Sequence, residues 1–260
     1  MWTAAILSLI IPSASALTCN EYNVGATLPV DGATDVAVNV RPMVELEEAA
    51  NQIRLRLYEN DTEVEDAEWV RLAKGDPEVW ALDFPETLEP FTTYTIVGEL
   101  RGSDGYELGE ATFETGDHED HTAPGEPARS IGTFTNRRSM YGDTDAFSVR
   151  LKGARDPSGT AMRLEFSESG DFTDTVTRIR LENPAKVTAG LCIYDKVGNY
   201  DHETTRVRVT PFDAAGNEGP TVTVRFAPAG CDGDGCSAAG STFSLLGLLV
   251  GVFGIWRRRR

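Results

Sequence analysis

The residues best suited to chemistry are carboxylates and a few imidazoles. Three histidines, His118, His121 and His202, stand against 41 aspartates and glutamates in 260 residues. Two of the three fall in Asp117-His118-Glu119-Asp120-His121. The residue types there suit a metal, but such a site needs three or four converging ligands. No third histidine follows nearby, and the run leads into Thr122-Ala123-Pro124-Gly125, so a solvated hinge is expected. Asp232-Gly233-Asp234-Gly235 opens like a calcium loop. It lacks the Asp or Asn of the third ligand position and the distal Glu that close one, so it reads as a flexible stalk. Asp143-Thr144-Asp145 reads as a turn. The chain has no G-x-S-x-G, no H-E-x-x-H and no phosphate-cradling glycine loop with its lysine. Acidic pairs abound, but in so acidic a chain their nearness in sequence marks nothing. A carboxylate hydrolase would need a concave pocket holding two carboxyl groups of raised pKa. The expectation is a protein that is not an enzyme, with no cofactor, no catalytic residues and no metal residues.

The elements that would position side chains follow a period of two. Ile53, Leu55 and Leu57 alternate with Arg54, Arg56 and Tyr58, and Tyr94 and Ile96 alternate with Thr93, Thr95 and Val97. Val79 to Phe84 is apolar except for Asp83. Turn residues separate these runs: Asp31-Gly32, Asn60-Asp61, Gly75-Asp76-Pro77 and Asp104-Gly105. The acidic stretch Glu59 to Glu68 is expected to be a solvated loop. Further on, Phe147, Val149 and Leu151 oppose Ser148, Arg150 and Lys152. Met162, Leu164 and Phe166 oppose Arg163 and Glu165, and Ile179 and Leu181 oppose Arg178 and Arg180. Val207 and Val209 oppose Arg206 and Arg208, and Val222, Val224 and Phe226 oppose Thr221, Thr223 and Arg225. No long segment of period 3.6 competes. Short strands at this spacing predict an all-β chain of two tandem antiparallel sandwiches. The arginines are expected on solvated faces.

Charge divides the chain where the strands do. Gly25 to Asp117 carries 22 acidic and six basic residues; Thr122 to Ala229 carries 14 of each. The expected organisation is a signal peptide over 1–16, a sandwich over 24–117 and a linker over 118–125. A second sandwich over 126–229, a Gly/Asp/Cys-rich hinge over 230–242 and an apolar helix with an arginine cluster over 243–260 complete it. Without the two ends, 20 basic residues face 41 acidic ones, a net charge of −21. That excludes nucleic acid as an expected partner.

Particular residues carry resemblances. Leu28 to Leu46, L-P-V-D-G-A-T-D-V-A-V-N-V-R-P-M-V-E-L, resembles the opening of SbsA-type bacterial Ig-like domains. Leu88 to Val97, L-E-P-F-T-T-Y-T-I-V, resembles their L-x-P-x-T-x-Y strand, and Ala111 to Gly116, A-T-F-E-T-G, their closing strand. Ala37 stands where that family often has Pro, and Leu46 where it often has Phe. The resemblance implies an Ig-like sandwich, in which Tyr94 is either a tyrosine corner bonded to nearby backbone or a plain core residue. Val207 to Pro220, V-R-V-T-P-F-D-A-A-G-N-E-G-P, resembles the end of a bacterial fibronectin type III or Ig-like repeat, with Asp213, Gly216 and Asn217 forming a tight turn.

Both termini read as addresses. Met1 to Ala16 has a short apolar core, Ala4 to Ile11, and an A-x-A site that predicts cleavage after Ala16. Cys19 invites a lipoprotein reading, yet Ala16-Leu17-Thr18 fits a lipobox poorly. At the other end, Phe243 to Trp256 is an uncharged, almost wholly apolar run. As a helix it is short of a bilayer core unless Ser237 to Thr242 extend it. Trp256 suits the interface, and Arg257, Arg258, Arg259 and Arg260 suit the cytoplasmic side. A Cys in a Gly-rich hinge, a short apolar helix and a terminal Arg cluster together resemble the MYXO-CTERM sorting tail of myxobacterial surface proteins. That resemblance implies recognition by a membrane protease and anchoring near Cys236. Of the four cysteines, Cys19, Cys192, Cys231 and Cys236, a disulfide pairing is not readable.

These readings converge on an exported, surface-anchored, non-catalytic Ig-like protein in adhesion, ligand binding or envelope structure. Its expected partners are a protein or glycan at the cell surface, and the membrane through the C-terminal tail. An accessory subunit of a secreted assembly, offering a sheet edge to a partner strand, is the second reading. A surface hydrolase is the third.

Overall fold

In a computed structural model, residues 23–47, 52–73, 77–83, 87–102, 106–139, 142–173, 175–189 and 205–228 are described. Every named element among them is a strand. Ala16, Trp256, Arg257 to Arg260, His202 and all four cysteines lie outside the described residues, as do the leader and tail.

Among the described residues, nine strands build the first half: β1 (Asn23–Leu28), β2 (Ala33–Val36), β3 (Met43–Glu47), β4 (Ile53–Glu59), β5 (Thr62–Glu63), β6 (Glu68–Ala73), β7 (Glu78–Asp83), β8 (Thr93–Leu100) and β9 (Glu107–Thr115). They form one sheet of order β1-β3-β7-β6 and another of order β2-β9-β8-β4-β5. With β1 as strand A, β3 as B and β4 as C, these are the ABED and GFC sheets of an Ig-like sandwich. The alternation puts Leu57, Ile96 and Ala111 at one level of the inner face, since Leu57 pairs with Ile96 and Ile96 with Ala111. All three are buried. Tyr94 begins strand F and stacks on Phe113 at 5.6 Å. Its hydroxyl accepts a hydrogen bond from the Glu89 amide at 2.9 Å, so it is a tyrosine corner.

The Glu59–Glu68 stretch departs from the expected loop. Asn60 and Asp61 both take positive φ, 44° and 67°, as a two-residue hairpin turn requires. The chain returns at once as β5, with Tyr58 opposite Glu63. Glu63 then accepts from Arg56 at 2.6 Å. Cross-strand pairing of acid with base offsets the repulsion that a run of acids would suffer.

Among the described residues, seven strands build the second half: β10 (Arg129–Ser139), β11 (Gly142–Lys152), β12 (Ala161–Ser167), β13 (Val176–Arg180), β14 (Ala185–Ala189), β15 (Arg206–Phe212) and β16 (Val222–Pro228). Their order is β13-β12-β15-β16-β10-β11-β14 in one continuous sheet. The apolar faces read from the sequence do pack together, but as two halves of one sheet folded over. The seam is the parallel pairing of β10 with β16, Gly132 opposite Phe226. Gly132 is required there, because a Cβ would meet the Arg225 carbonyl and the Val224 side chain. Phe147, Phe166 and Phe226 fill the centre, with Phe147 at 5.9 Å from Phe166 and 4.8 Å from Phe226.

Candidate functional site

The ABED sheet is buried on both faces. Val44, Leu46 and Leu82 face the GFC sheet, while Met43, Val79 and Ala81 on the opposite face are also buried. The cover on that second face is the other sandwich: Ile179, Leu181, Ala161 and Ala214 belong to the same apolar cluster as Leu28, Met43 and Val79. The two sandwiches therefore share a core. Polar bonds fix its register. The buried Glu45 carboxylate accepts from the Leu181 amide at 2.6 Å, and the Arg41 amide donates to the Ala214 carbonyl at 2.7 Å.

Arg180 is the correction to the sequence reading of this face. It was expected among the solvated arginines and is 3% exposed. With Ile179 and Leu181 committed to the shared core, the side chain between them is covered too. Its guanidinium donates to the carbonyls of Lys186, Pro77 and Ile179, which is how a buried cation escapes the full cost of desolvation. Other arginines do lie at the surface: Arg163 forks onto Glu218, and Arg208 meets Glu165 at 3.3 Å.

Between the sandwiches the connector is held at Asp120. Its amide donates to Asn39 Oδ1 and its carbonyl accepts from Asn39 Nδ2, both at 2.8 Å. The same carbonyl accepts from Asn217 Nδ2 at 3.2 Å. Its carboxylate takes Ser158 Oγ at 2.5 Å and the Thr122 amide at 2.9 Å. Beside it, the His118 carbonyl accepts from the Val38 amide at 2.9 Å. His118 is exposed, 3.6 Å from Asp35, and His121 is exposed, 2.8 Å from Glu119.

The fold brings two further carboxylates to Asp120. Asp156 sits in the turn Asp156-Pro157-Ser158-Gly159, accepting from the Ser158 amide at 2.8 Å. Asp213 opens the Asp213-Ala214-Ala215-Gly216-Asn217 turn. There Gly216 has φ 85°, and Asp213 accepts from the amide and side chain of Asn217 at 2.8 and 3.0 Å. The tight turn expected there is thus present, and Asp213 is fully buried. One oxygen from each of the three carboxylates lies within 4.8 Å of the others.

Three such groups cannot all ionise freely in a partly dry place. Burial, reinforced by the charges of Asp120 and Asp213, pushes Asp156 up to about 6, against its bond from Ser158. Burial also raises Asp213, with the Asn217 bonds opposing. At Asp120 burial works in the same direction, but bonds from Ser158, Thr122 and Asp156 outweigh it and hold this carboxyl below its ordinary value. Asp120 therefore ionises before Asp156, which holds its proton to higher pH. Oxygens so grouped are of the type a hard divalent cation accepts. The sequence pointed to the linker for its histidines and to Asp213 as a turn. Asp156, 36 residues beyond Asp120, gave no signal except its Asp-Pro-Ser-Gly turn.

No protein-family model matches the chain, and no curated protein matches it. Among solved structures it is similar to a chimeric titin Z1Z2–Z1Z2 tandem functionalised with a GRGDS peptide from fibronectin: 13% identity, 80% of this chain and 99% of that one, TM-score 0.26. It is also similar to the N-terminal part of the bacterial S-layer protein SbsC, at 11% identity over 80% of this chain and 44% of that one, TM-score 0.25. A third is the FN1–FN3 segment of chicken CNTN1, at 13% identity over 78% and 67%, TM-score 0.25. At such scores the assignment of an Ig-like, nearly all-β fold rests on strand order.

Proposed function

We propose that this chain is a non-catalytic, exported structural module that displays two locked β-sandwiches at the cell surface. The observation that carries this reading is the joint. Several buried or half-buried ionisable groups, Glu45, Asp120, Asp156, Arg180 and Asp213, gather there and help to hold one sandwich on the other. One cavity, lined by Thr27, Asp31, Leu181 and Asn183, lies at the joint itself and another within the first sandwich; neither includes any of the Asp triad. Domains joined by small polar contacts move relative to each other, whereas a large apolar contact makes one body. A spacer or adhesin stem needs the second kind. Its address follows from the termini: cleavage after Ala16, then sorting and anchoring near Cys236. Adhesion, ligand binding and envelope structure all fit such a stem. The test is mass spectrometry of the mature cell-bound protein together with chemical denaturation of the purified chain. New termini after Ala16 and near Cys236, and one cooperative unfolding transition, are expected. An uncleaved chain in the cytoplasm, or two independent transitions, would overturn the reading.

A further inference from the structure

The first sandwich is not filled along its β5/β6 side. A cavity of about 460 Å³ enters between the sheets there, lined by Leu46, Trp69 and Trp80 from one sheet and Ile53, Leu55 and Arg101 from the other side. Trp69 pairs with Leu82, and Arg71 pairs with Trp80. The two indoles are therefore diagonal neighbours on one face of the ABED sheet, at a separation that large side chains bridge. Both are only partly buried, although they point into the sandwich. The Trp80 N–H donates to Glu78 at 3.2 Å. The Trp69 N–H is buried and has no acceptor. A buried donor left unpaired costs stability, and indole N–H groups usually find a partner when buried. An acceptor supplied from outside would satisfy it.

The mouth is polar and of mixed sign. Glu65, Asp66 and Glu68 stand on one side and Arg54 and Arg101 on the other, all exposed. Arg101 is held in place through its Nε, which donates to the Ile53 carbonyl at 2.9 Å.

We infer that this slot between the sheets is a binding site for a short neutral or amino saccharide, with the indoles of Trp69 and Trp80 as its platform. A purely apolar ligand would leave the Trp69 donor unpaired and desolvate five charged groups at the mouth. An acidic ligand would meet three carboxylates on a half of the chain that carries 22 acids and six bases. A saccharide matches both parts. Its C–H faces lie on indole rings, its ring and hydroxyl oxygens accept from Trp69 and Arg101, and its hydroxyls donate to the acids at the mouth. The volume is within the range of small-molecule pockets, about 300–1,000 Å³. This goes beyond the display reading, and a negative result would leave the locked module standing.

The test uses the full chain. Four tryptophans are present, and a Trp69→Phe/Trp80→Phe double variant gives the background of the other two. Maltotriose, cellotriose, chitotriose and a sialylated trisaccharide are titrated against tryptophan emission, after a printed array of neutral, amino and acidic oligosaccharides. A saturable change in emission with a neutral or amino sugar is expected, absent from the double variant. Trp69→Phe keeps an aromatic face, though a smaller one, and loses the donor, so it should weaken binding at least roughly tenfold, as the loss of one good hydrogen bond predicts. Glu65→Gln/Asp66→Asn changes only exposed side chains and should weaken binding without altering the unfolding midpoint. No response on the array and in every titration would overturn the site. So would binding that survives the double variant unchanged, or preference for the sialylated sugar.

Discussion

The two halves solve the same packing problem differently. In the first, two separate sheets face each other, and aromatic packing is concentrated at one end, where Tyr94 meets Phe113. The β5/β6 side stands open. In the second, the parallel β10–β16 seam joins both layers into one sheet, and phenylalanines close the interior. A hydrogen-bonded edge that runs from one layer into the other fixes the distance between them, so side chains can fill it to native density. On the β5/β6 side no strand pairing joins the layers, only the short connection 64–67, and a cavity opens between them. The contrast teaches that a sandwich gains a cavity where its sheets are least tied.

Substitutions can break or sharpen that contrast. Phe166→Ala, in the closed half, should cost about 3–5 kcal/mol, since Phe166 is fully buried among the other rings. Trp80→Ala, in the open half, should cost clearly less, because its ring already borders a void. Denaturant midpoints compare the two, and equal losses would erase the distinction. Gly159→Ala tests the tie between halves. Gly159 has φ +86°, and a methyl there would enter the buried Leu28 side chain across the joint. About 2 kcal/mol or more, with the single transition splitting into two, is the expected result by calorimetry. Tyr94→Phe should cost about 1 kcal/mol by denaturation with no change in cooperativity, since it touches only the open half.

An effect of similar small size is expected at the Asp triad, and its sign is set by pH. The folded state raises Asp156 from 3.8 to about 6, so its favourable contribution is complete below about pH 4 and is lost as pH rises through 6. Asp120, lowered, contributes the opposite way: its stabilisation is present above its ordinary value and fades as pH falls below it. Asp156→Asn should therefore flatten the pH 4–6 limb of a stability profile and raise stability at pH 7 by about 1 kcal/mol after solvent screening. A variant with the same slope as the parent between pH 4 and 6 would place that titration elsewhere.

Much of the fold was legible from period two alone. Ile53/Leu57, Phe147/Val149/Leu151 and Val207/Val209 are all buried as their alternation demands, because one face of a strand must be apolar to pack. The tyrosine corner and the Asp213 turn were legible because their chemistry is local. The joint was not. Arg180 reads as surface in any single strand, and only the arrival of a second sandwich covers it. Asp120, Asp156 and Asp213 are far apart in the chain, and in a sequence with 41 acids nothing marks three of them as neighbours. The slot escaped for a similar reason: Trp69 and Trp80 look like ordinary core residues until the opposite sheet fails to reach them.

The parallel pairing of β10 with β16 has a mechanical corollary. β10 is the second sandwich's first strand and β16 its last, so the chain enters along one and leaves along the other in the same direction. If the protein is tethered by its tail and pulled from the other end, these strands are drawn past each other lengthwise. Their hydrogen bonds then resist together in shear, whereas an antiparallel pair pulled from its open end would unzip one bond at a time. β2 and β9 repeat the arrangement in the first sandwich. Tension along the chain therefore meets, in both halves, the geometry in which short β-pairing is hardest to break.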